Sequence, residues 1–201
     1  MASCCGCEGF EGAAVMAWTE ASIGAWLCRH TFQRKLLIVP NCNWTGYECD
    51  LLAVAPCLRL VDIEIKISRA DLKADRDKEK WWDRGFGTMV AGKWVRPPET
   101  ARQWPRRVWK HYYAMPADIW KPELLDAIPP SSGVLLCRGE DRTALIESIR
   151  KAKPNKEAKP ISAADAIDIA RLAGLRMWDA YENVERVRRD AERMANAGVS
   201  A

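Results

Sequence analysis

Three residues in the first third of the chain have types and a spacing that suit metal-assisted phosphodiester chemistry. Asp50 is followed after thirteen residues by Glu64, and Lys66 lies two residues further on. Two carboxylates held close together repel each other, and a divalent cation that prefers oxygen ligands removes that repulsion. Such a cation activates a bound water and polarises a phosphate oxygen, while a neighbouring ammonium stabilises developing negative charge. Mg²⁺ or Mn²⁺ is therefore the cofactor expected where these side chains meet.

The sequence around this set predicts the two strands that bring it together. Residues 60–67 alternate between aliphatic and charged side chains, which predicts a strand with one buried face. Residues 47–55 predict a second strand, and the short turn between the two favours an antiparallel hairpin. Glu64 and Lys66 share one face of this hairpin, and Glu48 adds a further carboxylate. The alternative is an ordinary solvated strand face, because E-x-K alone is a short pattern.

The remaining pattern predicts a mixed-sheet α/β domain with a helical appendage. Thr19 has the side chain of an N-cap for a first helix, and Ser68 with Asp71 forms a capping box for a second. The predicted elements are a helix at 19–35, a strand at 36–39, the hairpin, a helix from 68 to about 83, a loop at 85–108, strands at 108–115 and 133–137, and short helical pieces at 122–126 and 139–152.

Four stretches of the chain carry a resemblance to a known family. In chain order they are VPNCNWTGYECDLLAV (39–54), VDIEIKISRADLKADRDKEK (61–80), HYYAMP (111–116) and SGVLLC (132–137). Over residues 19–138 the chain resembles the PD-(D/E)XK nuclease superfamily. It is most similar there to the MmcB-like DNA-repair family and to related phage and prophage nuclease-like proteins. The loop at 85–109 is longer than the resemblance predicts, and the last fifty residues have no counterpart in it.

The resemblance implies a restriction-endonuclease-like fold, a mixed β-sheet flanked by helices. It implies Asp50, Glu64 and Lys66 as the metal-binding and catalytic residues, with Glu48 as an auxiliary acid. Glu20 on the first helix matches a position where many such nucleases place another acidic ligand. The implied activity is metal-dependent hydrolysis of DNA in repair or in phage DNA processing.

A second group of residues indicates contact with nucleic acid. Positions 93 to 110 contain six basic residues and three tryptophans but a single acidic residue, Glu99. Lys and Arg neutralise phosphates, and an indole face stacks on unpaired bases. The alternative is that the tryptophans pack on the core and the arginines are solvated. The candidate DNA contacts are Lys73, Lys78, Lys80, Lys93, Trp94, Arg96, Arg102, Trp104, Arg106, Arg107 and Lys110.

The C-terminal segment has an apolar stripe at helical spacing, which predicts one amphipathic helix that packs on the domain or on a second chain. A homodimer through this helix is therefore one expectation. Ala170 and Gly174 suit the turn of a helix-turn-helix motif, whereas Asn183 falls where that motif needs a buried aliphatic side chain. The stripe consists of Ile167, Leu175, Trp178, Tyr181, Val184 and Val187.

Composition sets the outer bounds. A net charge of +4 over 201 residues excludes a histone-like polycation, and no apolar run is long enough to span a membrane. The absence of a signal-peptide pattern favours a cytoplasmic protein with reduced cysteines. The eight cysteines contain one C-x-x-C spacing, Cys4 to Cys7, and no second pair that would complete four ligands, so a structural zinc site is not expected. The expected organisation is a tail (1–16), the nuclease-like domain (17–150), a linker (151–160) and the C-terminal helical segment (161–201).

The primary functional hypothesis is a Mg²⁺-dependent deoxyribonuclease. Two alternatives stay open. One is a catalytically silent DNA-binding or regulatory protein on the same fold. The other is a transcription factor that binds DNA through its C-terminal segment. Of the two histidines, both are expected to be structural, with a phosphate contact as the alternative for His111.

Overall fold

A computed structural model describes residues 18–139 and 145–198 of the chain. The predicted tail at 1–16 lies outside these ranges. The elements, in chain order, are α1 (Glu20–His30), β1 (Leu37–Cys42), β2 (Cys49–Val54), β3 (Leu60–Ile65), α2 (Arg69–Ala74), 3₁₀ turns at Asp75–Asp77 and Glu79–Trp81, β4 (Trp82–Asp83), β5 (Thr88–Val90), β6 (Lys93–Val95), β7 (Thr100–Ala101), β8 (Val108–Pro116), a 3₁₀ helix at Pro122–Ala127, β9 (Gly133–Arg138), β10 (Leu145–Arg150) and α3 (Ala163–Gly198).

Six strands form one mixed sheet in the order β1-β2-β3-β8-β9-β10. The first three strands are antiparallel neighbours, β3, β8 and β9 run parallel, and β10 returns antiparallel along β9. With helices on the sheet and a long C-terminal helix, this architecture confirms the predicted mixed α/β fold. No helix in the described ranges is long and apolar enough to cross a membrane.

The strict alternation of β3 divides the core between the two faces of the sheet. Val61, Ile63 and Ile65 pack with Ile23 and Leu27 of α1 on one face. The other face holds two further apolar clusters, one beneath the α2 region and one beneath the first turns of α3. The charged residues of β3 point to this second face, and the fold therefore buries them.

Local capping explains where the first two helices begin. The Ser22 N–H donates to the Thr19 hydroxyl, and the Asp71 N–H donates to the Ser68 hydroxyl, as the predicted caps require. The second helix is shorter than predicted. It ends at Ala74, because the 3₁₀ turns that follow carry Asp75 and Trp81 into the interior.

The helical prediction for residues 139–152 is wrong over 145–150, and its residues 140–144 lie outside the described ranges. Residues 145–150 form an edge strand that pairs with β9, and its backbone supplies hydrogen-bond partners for the N–H and C=O groups of β9 on that side. The Arg150 guanidinium also donates to the carbonyls of Ser132 and Pro129, which holds this strand in place. The predicted loop at 85–108 contains three short strands: β5 pairs with β6, and β7 pairs with β4, which lies just before the loop.

The segment 151–160 lies along the domain. The Asn155 N–H donates to the Trp109 carbonyl, and Ala152 and Ala158 are buried. The helix α3 then continues without a break through Gly174. Since a helix-turn-helix needs a turn there, the described part of the chain offers no such motif.

Other side chains and backbone pack closely around Gly133 in β9. A Cβ at this position would lie 2.3 Å from the Tyr112 ring and 2.8 Å from the Ala152 backbone nitrogen. We expect Gly133→Ala to lower the free energy of unfolding by about 1–3 kcal/mol, as overpacked sites do. Denaturant titration followed by tryptophan fluorescence measures this change.

Gly174→Ala is the matched control, because a Cβ there meets no atom within 4 Å. This substitution within α3 should raise stability by about 0.5–1 kcal/mol. Equal effects of the two substitutions would contradict the packing described around β9.

Candidate active site

The hairpin places Asp50 next to the E-x-K strand. Leu51 lies opposite Ile63 in the antiparallel register, so Asp50 falls beside Glu64 where the ladder ends. The Ile65 N–H donates to Asp50 Oδ2 over 2.6 Å, which anchors this half-buried carboxylate on β3. The predicted spacing therefore corresponds to a real juxtaposition of these side chains.

Glu64 and Lys66 form a direct ion pair. Lys66 Nζ lies 2.9 Å from Glu64 Oε2, and the two side chains are only 3% and 1% exposed. Burial alone would lower the pKa of Lys66, but the charge of Glu64 and its hydrogen bond raise that pKa above its usual range. Lys66 therefore carries its positive charge at any physiological pH.

Asp75 is a third carboxylate of this cluster, and sequence reasoning missed it. Its side chain is fully buried and lies 3.4 Å from Lys66 Nζ, 3.1 Å from Lys80 Nζ and 2.9 Å from Lys78 Nζ. The Tyr113 hydroxyl and the Trp81 indole N–H also donate to it. Burial raises the pKa of Asp75, but the charge of Lys80 and the hydrogen bonds from Tyr113 and Lys78 outweigh burial and hold that pKa below its usual range.

Lys80 occupies a different place from the one predicted. It was expected to contact DNA, but its ammonium is buried, 2.7 Å from Glu64 Oε1 and 3.1 Å from Asp75 Oδ2. The charges of Glu64, Asp62 and Asp75 raise its pKa against the opposing effect of burial. Lys80 therefore holds the carboxylates of the cluster and does not face solvent.

Asp62 on β3 and His111 on β8 extend the cluster. These two residues lie opposite each other in the parallel register. Asp62, Glu64 and His111 bring possible ligand atoms within 4.8 Å of one another. Burial raises the pKa of Asp62 to about 8 and lowers that of His111, so His111 is neutral. His111 Nδ1 lies 2.9 Å from the Ser132 hydroxyl. His111 is fully buried, so a phosphate in solvent cannot reach it and the alternative of a phosphate contact is excluded.

Asp50 is the carboxylate of the set that faces open space. A cavity of about 420 Å³ lies beside it, lined also by Glu20, Pro40, Asn41 and Ile65. Burial and the charge of Glu64 raise the pKa of Asp50, with a smaller contribution from Glu20. The predicted auxiliary acid Glu48 is exposed in the segment before β2.

Asp50 and Glu20 line this cavity with the oxygen ligands that a hard divalent cation prefers, whereas Glu64 beside Asp50 is 1% exposed and outside the lining. Asp50 Oδ2 is held by the Ile65 N–H. The repulsion between Asp50 and Glu64 that raises the Asp50 pKa is of the kind that a bound cation relieves. All the candidate side-chain ligands (Asp50, Glu64 and Glu20) offer oxygen, which favours Mg²⁺ or Mn²⁺ over zinc.

The predicted DNA contacts divide into an exposed group and a packed group. Lys93, Trp94 and Arg96 lie at the exposed hairpin of β5 and β6, and 62% of the Trp94 side chain is accessible. Phe86, which precedes this hairpin, is 98% exposed. Lys73 and Arg106 are also exposed, and Lys78 is half-exposed beside Asp75.

The residues of the packed group make contacts within the protein. The Trp104 indole donates to the Lys153 carbonyl, and Arg102 pairs with Asp83 at 3.2 Å. The Arg107 guanidinium lies over the Trp44 ring although the residue is exposed, and the Lys110 ammonium lies over the Trp109 ring. For these residues the alternative of intramolecular packing describes the observed contacts.

Comparison with known proteins adds a structural likeness. No family model and no curated protein matches the chain. A solved protein of unknown function from Silicibacter pomeroyi is similar to it with a TM-score of 0.46 and 18% identity. That likeness covers 83% of this chain and 88% of the other.

Asp75 provides a test of the buried charge cluster. We expect Asp75→Asn to lower the free energy of unfolding at neutral pH by about 3–5 kcal/mol, because it leaves two buried ammonium groups, Lys66 and Lys80, with Glu64 as their one shared carboxylate. Because folding lowers the pKa of this carboxyl, its contribution is complete above the unfolded value of about 4 and is lost as the pH falls. Unfolding titrations across acidic and neutral pH measure both effects.

Asp77→Asn is the control, since Asp77 is an exposed carboxylate two residues away. It should change stability by less than about 0.5 kcal/mol. An Asp75→Asn protein as stable as the unmodified chain would show that the cluster does not depend on this residue.

Proposed function

We propose that this protein is a Mg²⁺- or Mn²⁺-dependent nuclease that hydrolyses DNA phosphodiester bonds. The observation that carries the proposal is the geometry at the end of the hairpin, where Asp50 is anchored to the backbone of β3 beside the Glu64–Lys66 pair. The resemblance to the PD-(D/E)XK superfamily gives these three residues their proposed roles. Repair or phage DNA processing is the biological setting that this resemblance implies.

Each side chain has a distinct task in this proposal. Asp50 and Glu64 would hold the cation, with Glu20, which lines the same cavity as Asp50, as a further oxygen ligand. The bound cation would supply an activated water and charge neutralisation at the phosphate. Lys66 contributes a permanently charged ammonium beside Glu64, suited to stabilising negative charge as it develops on phosphate oxygens.

Lys80 and Asp75 act as positioning residues for this set. Lys80 binds Glu64 Oε1 while Lys66 binds Oε2, which fixes the orientation of the carboxylate. Asp75 in turn holds both ammonium groups. Such preorganisation lets charged groups act without rearranging during the reaction.

A catalytically silent DNA-binding protein is the second candidate, and one observation favours it. Both oxygens of Glu64 already contact lysines, and Glu64 is 1% exposed. A carboxylate neutralised in this way binds a cation less readily than a free one. The two candidates differ in whether divalent metal binds at Asp50 and supports cleavage.

Asp50→Asn separates these candidates. The amide oxygen can still accept from the Ile65 N–H, so the fold should survive, whereas the negative charge at the cavity is lost. We expect Mn²⁺ affinity to fall at least about tenfold and DNA cleavage to fall about a thousandfold or more. Calorimetric Mn²⁺ titration and a nicking assay on plasmid and single-stranded DNA measure the two effects.

Asp168→Asn serves as the control, because it removes an exposed carboxylate of α3 and should leave both measurements unchanged. Metal-independent DNA binding without cleavage by the unmodified chain would favour the silent alternative. Cleavage that survives Asp50→Asn would contradict the assignment of the site.

The hairpin of β5 and β6 is the proposed DNA contact. We expect Trp94→Ala to weaken binding of single-stranded DNA about tenfold, because an exposed indole can stack on an unpaired base. The pair Lys93→Ala with Arg96→Ala should instead reduce the salt dependence of binding, because it removes charges that neutralise phosphates. Fluorescence anisotropy at several salt concentrations distinguishes the two effects.

Lys121→Ala is the matched control, since it removes an exposed cation on the segment before the 3₁₀ helix. Unchanged affinity in both hairpin variants would place the DNA interface elsewhere on the protein.

A further inference from the structure

The second half of α3 extends away from the domain. The first turns of the helix pack on the sheet through Ile169, Leu172 and Ala173, and Arg176 donates to the Asn41 carbonyl at the boundary. We call residues 177–196 the distal segment. Every side chain of this segment is exposed. Its apolar members lie about half exposed or more, among them Met177, Tyr181, Val184, Val187 and Met194.

A helix of this kind has little to stabilise it alone. It spans about 30 Å, and helices in proteins take most of their stability from packing of an amphipathic face, which this segment lacks within the domain. Its internal ion pairs, such as Arg188 with Glu185 and Arg193 with Asp190, add only about 0.2–0.5 kcal/mol each. A contiguous exposed apolar surface on such a helix is typical of an interaction site.

The apolar residues of the distal segment follow a coiled-coil pattern. Alternating steps of three and four residues connect six small or aliphatic side chains along one seam, and this is the spacing of paired helices. Alanine at two of these positions permits close approach of a second helix. The seam consists of Met177, Ala180, Val184, Val187, Ala191 and Met194.

The charges of the distal segment indicate which helix pairs with it. Its first half, 177–185, carries three carboxylates and no basic residue. Its second half, 186–196, carries four arginines and two carboxylates. A parallel copy would oppose like charges, whereas an antiparallel copy opposes the acidic half of one helix to the basic half of the other. The segment is therefore complementary to itself in one orientation.

We infer that the distal segment of α3 forms an antiparallel two-helix interface with the same segment of a second copy of this chain. In the register that opposes Met177 to Met194 of the second copy, Val184 opposes Val187. Tyr181 then lies beside the seam near Arg188 of the second copy, a pairing that suits a cation–π contact. The interface closes by twofold symmetry, so it makes a dimer and not a filament. This inference is independent of the proposed nuclease activity.

Light scattering coupled to size exclusion tests the interface with the full chain. We expect the unmodified protein to be a dimer. Val184→Glu with Val187→Glu should raise the dissociation constant roughly a hundredfold, because it places four carboxylates in the seam of each dimer. The near-ultraviolet circular dichroism of the domain should remain unchanged.

Leu145→Glu with Ile167→Glu is the matched control. Both side chains are as exposed as those of the seam, but they lie outside the distal segment. This variant should remain a dimer. A monomeric unmodified protein would overturn the inference, and so would a dimer that persists in the Val184→Glu, Val187→Glu variant.

Photo-crosslinking then determines the orientation. With a benzophenone amino acid in place of Met194, the antiparallel interface predicts crosslinks to the tryptic peptide 177–186 of the second chain. Crosslinks to residues near 194 would show a parallel pair and overturn the antiparallel arrangement.

Discussion

The structure depends on balancing charge that the fold has buried. Glu64 and Asp75 lie in the interior together with the ammonium groups of Lys66 and Lys80. An isolated buried charge costs several kcal/mol, so removal of one of these charged groups destabilises the fold by leaving its partners uncompensated. The balance also explains why α2 ends at Ala74, since the following turns must deliver Asp75, Lys80 and Trp81 to the same place.

That constraint links stability to the proposed chemistry. The parallel pairing of β3 with β8 supplies His111 and Tyr113 opposite Asp62 and Glu64, and Tyr113 donates to Asp75. Most of the cluster is sealed, and the carboxylate beside the open cavity is that of Asp50. The buried part therefore fixes the orientation of Glu64 and Lys66, while Asp50 and Glu20 are the groups that an incoming cation can reach.

Much of the sheet could be predicted from local signals. The alternation of residues 60–67 predicted β3 and its aliphatic face but not the burial of its charged face, and the thirteen-residue spacing predicted that Asp50 would lie beside Glu64. Asp75 and the burial of Lys80 were not predictable, because they depend on how the 3₁₀ turns after α2 fold back over the sheet. Local pattern likewise failed at β10, whose strand form comes from pairing with β9 and not from its own alternation.

The most direct measurement of the central claim is anomalous diffraction from crystals of the full chain soaked in Mn²⁺. The proposed site predicts one strong anomalous peak within coordination distance of the Asp50 carboxylate, about 2.2 Å, with Glu64 or Glu20 as a further oxygen ligand. The peak should vanish in Asp50→Asn crystals. A Mn²⁺ peak elsewhere, with none at Asp50, would contradict the assignment of this cluster as a metal-dependent catalytic site.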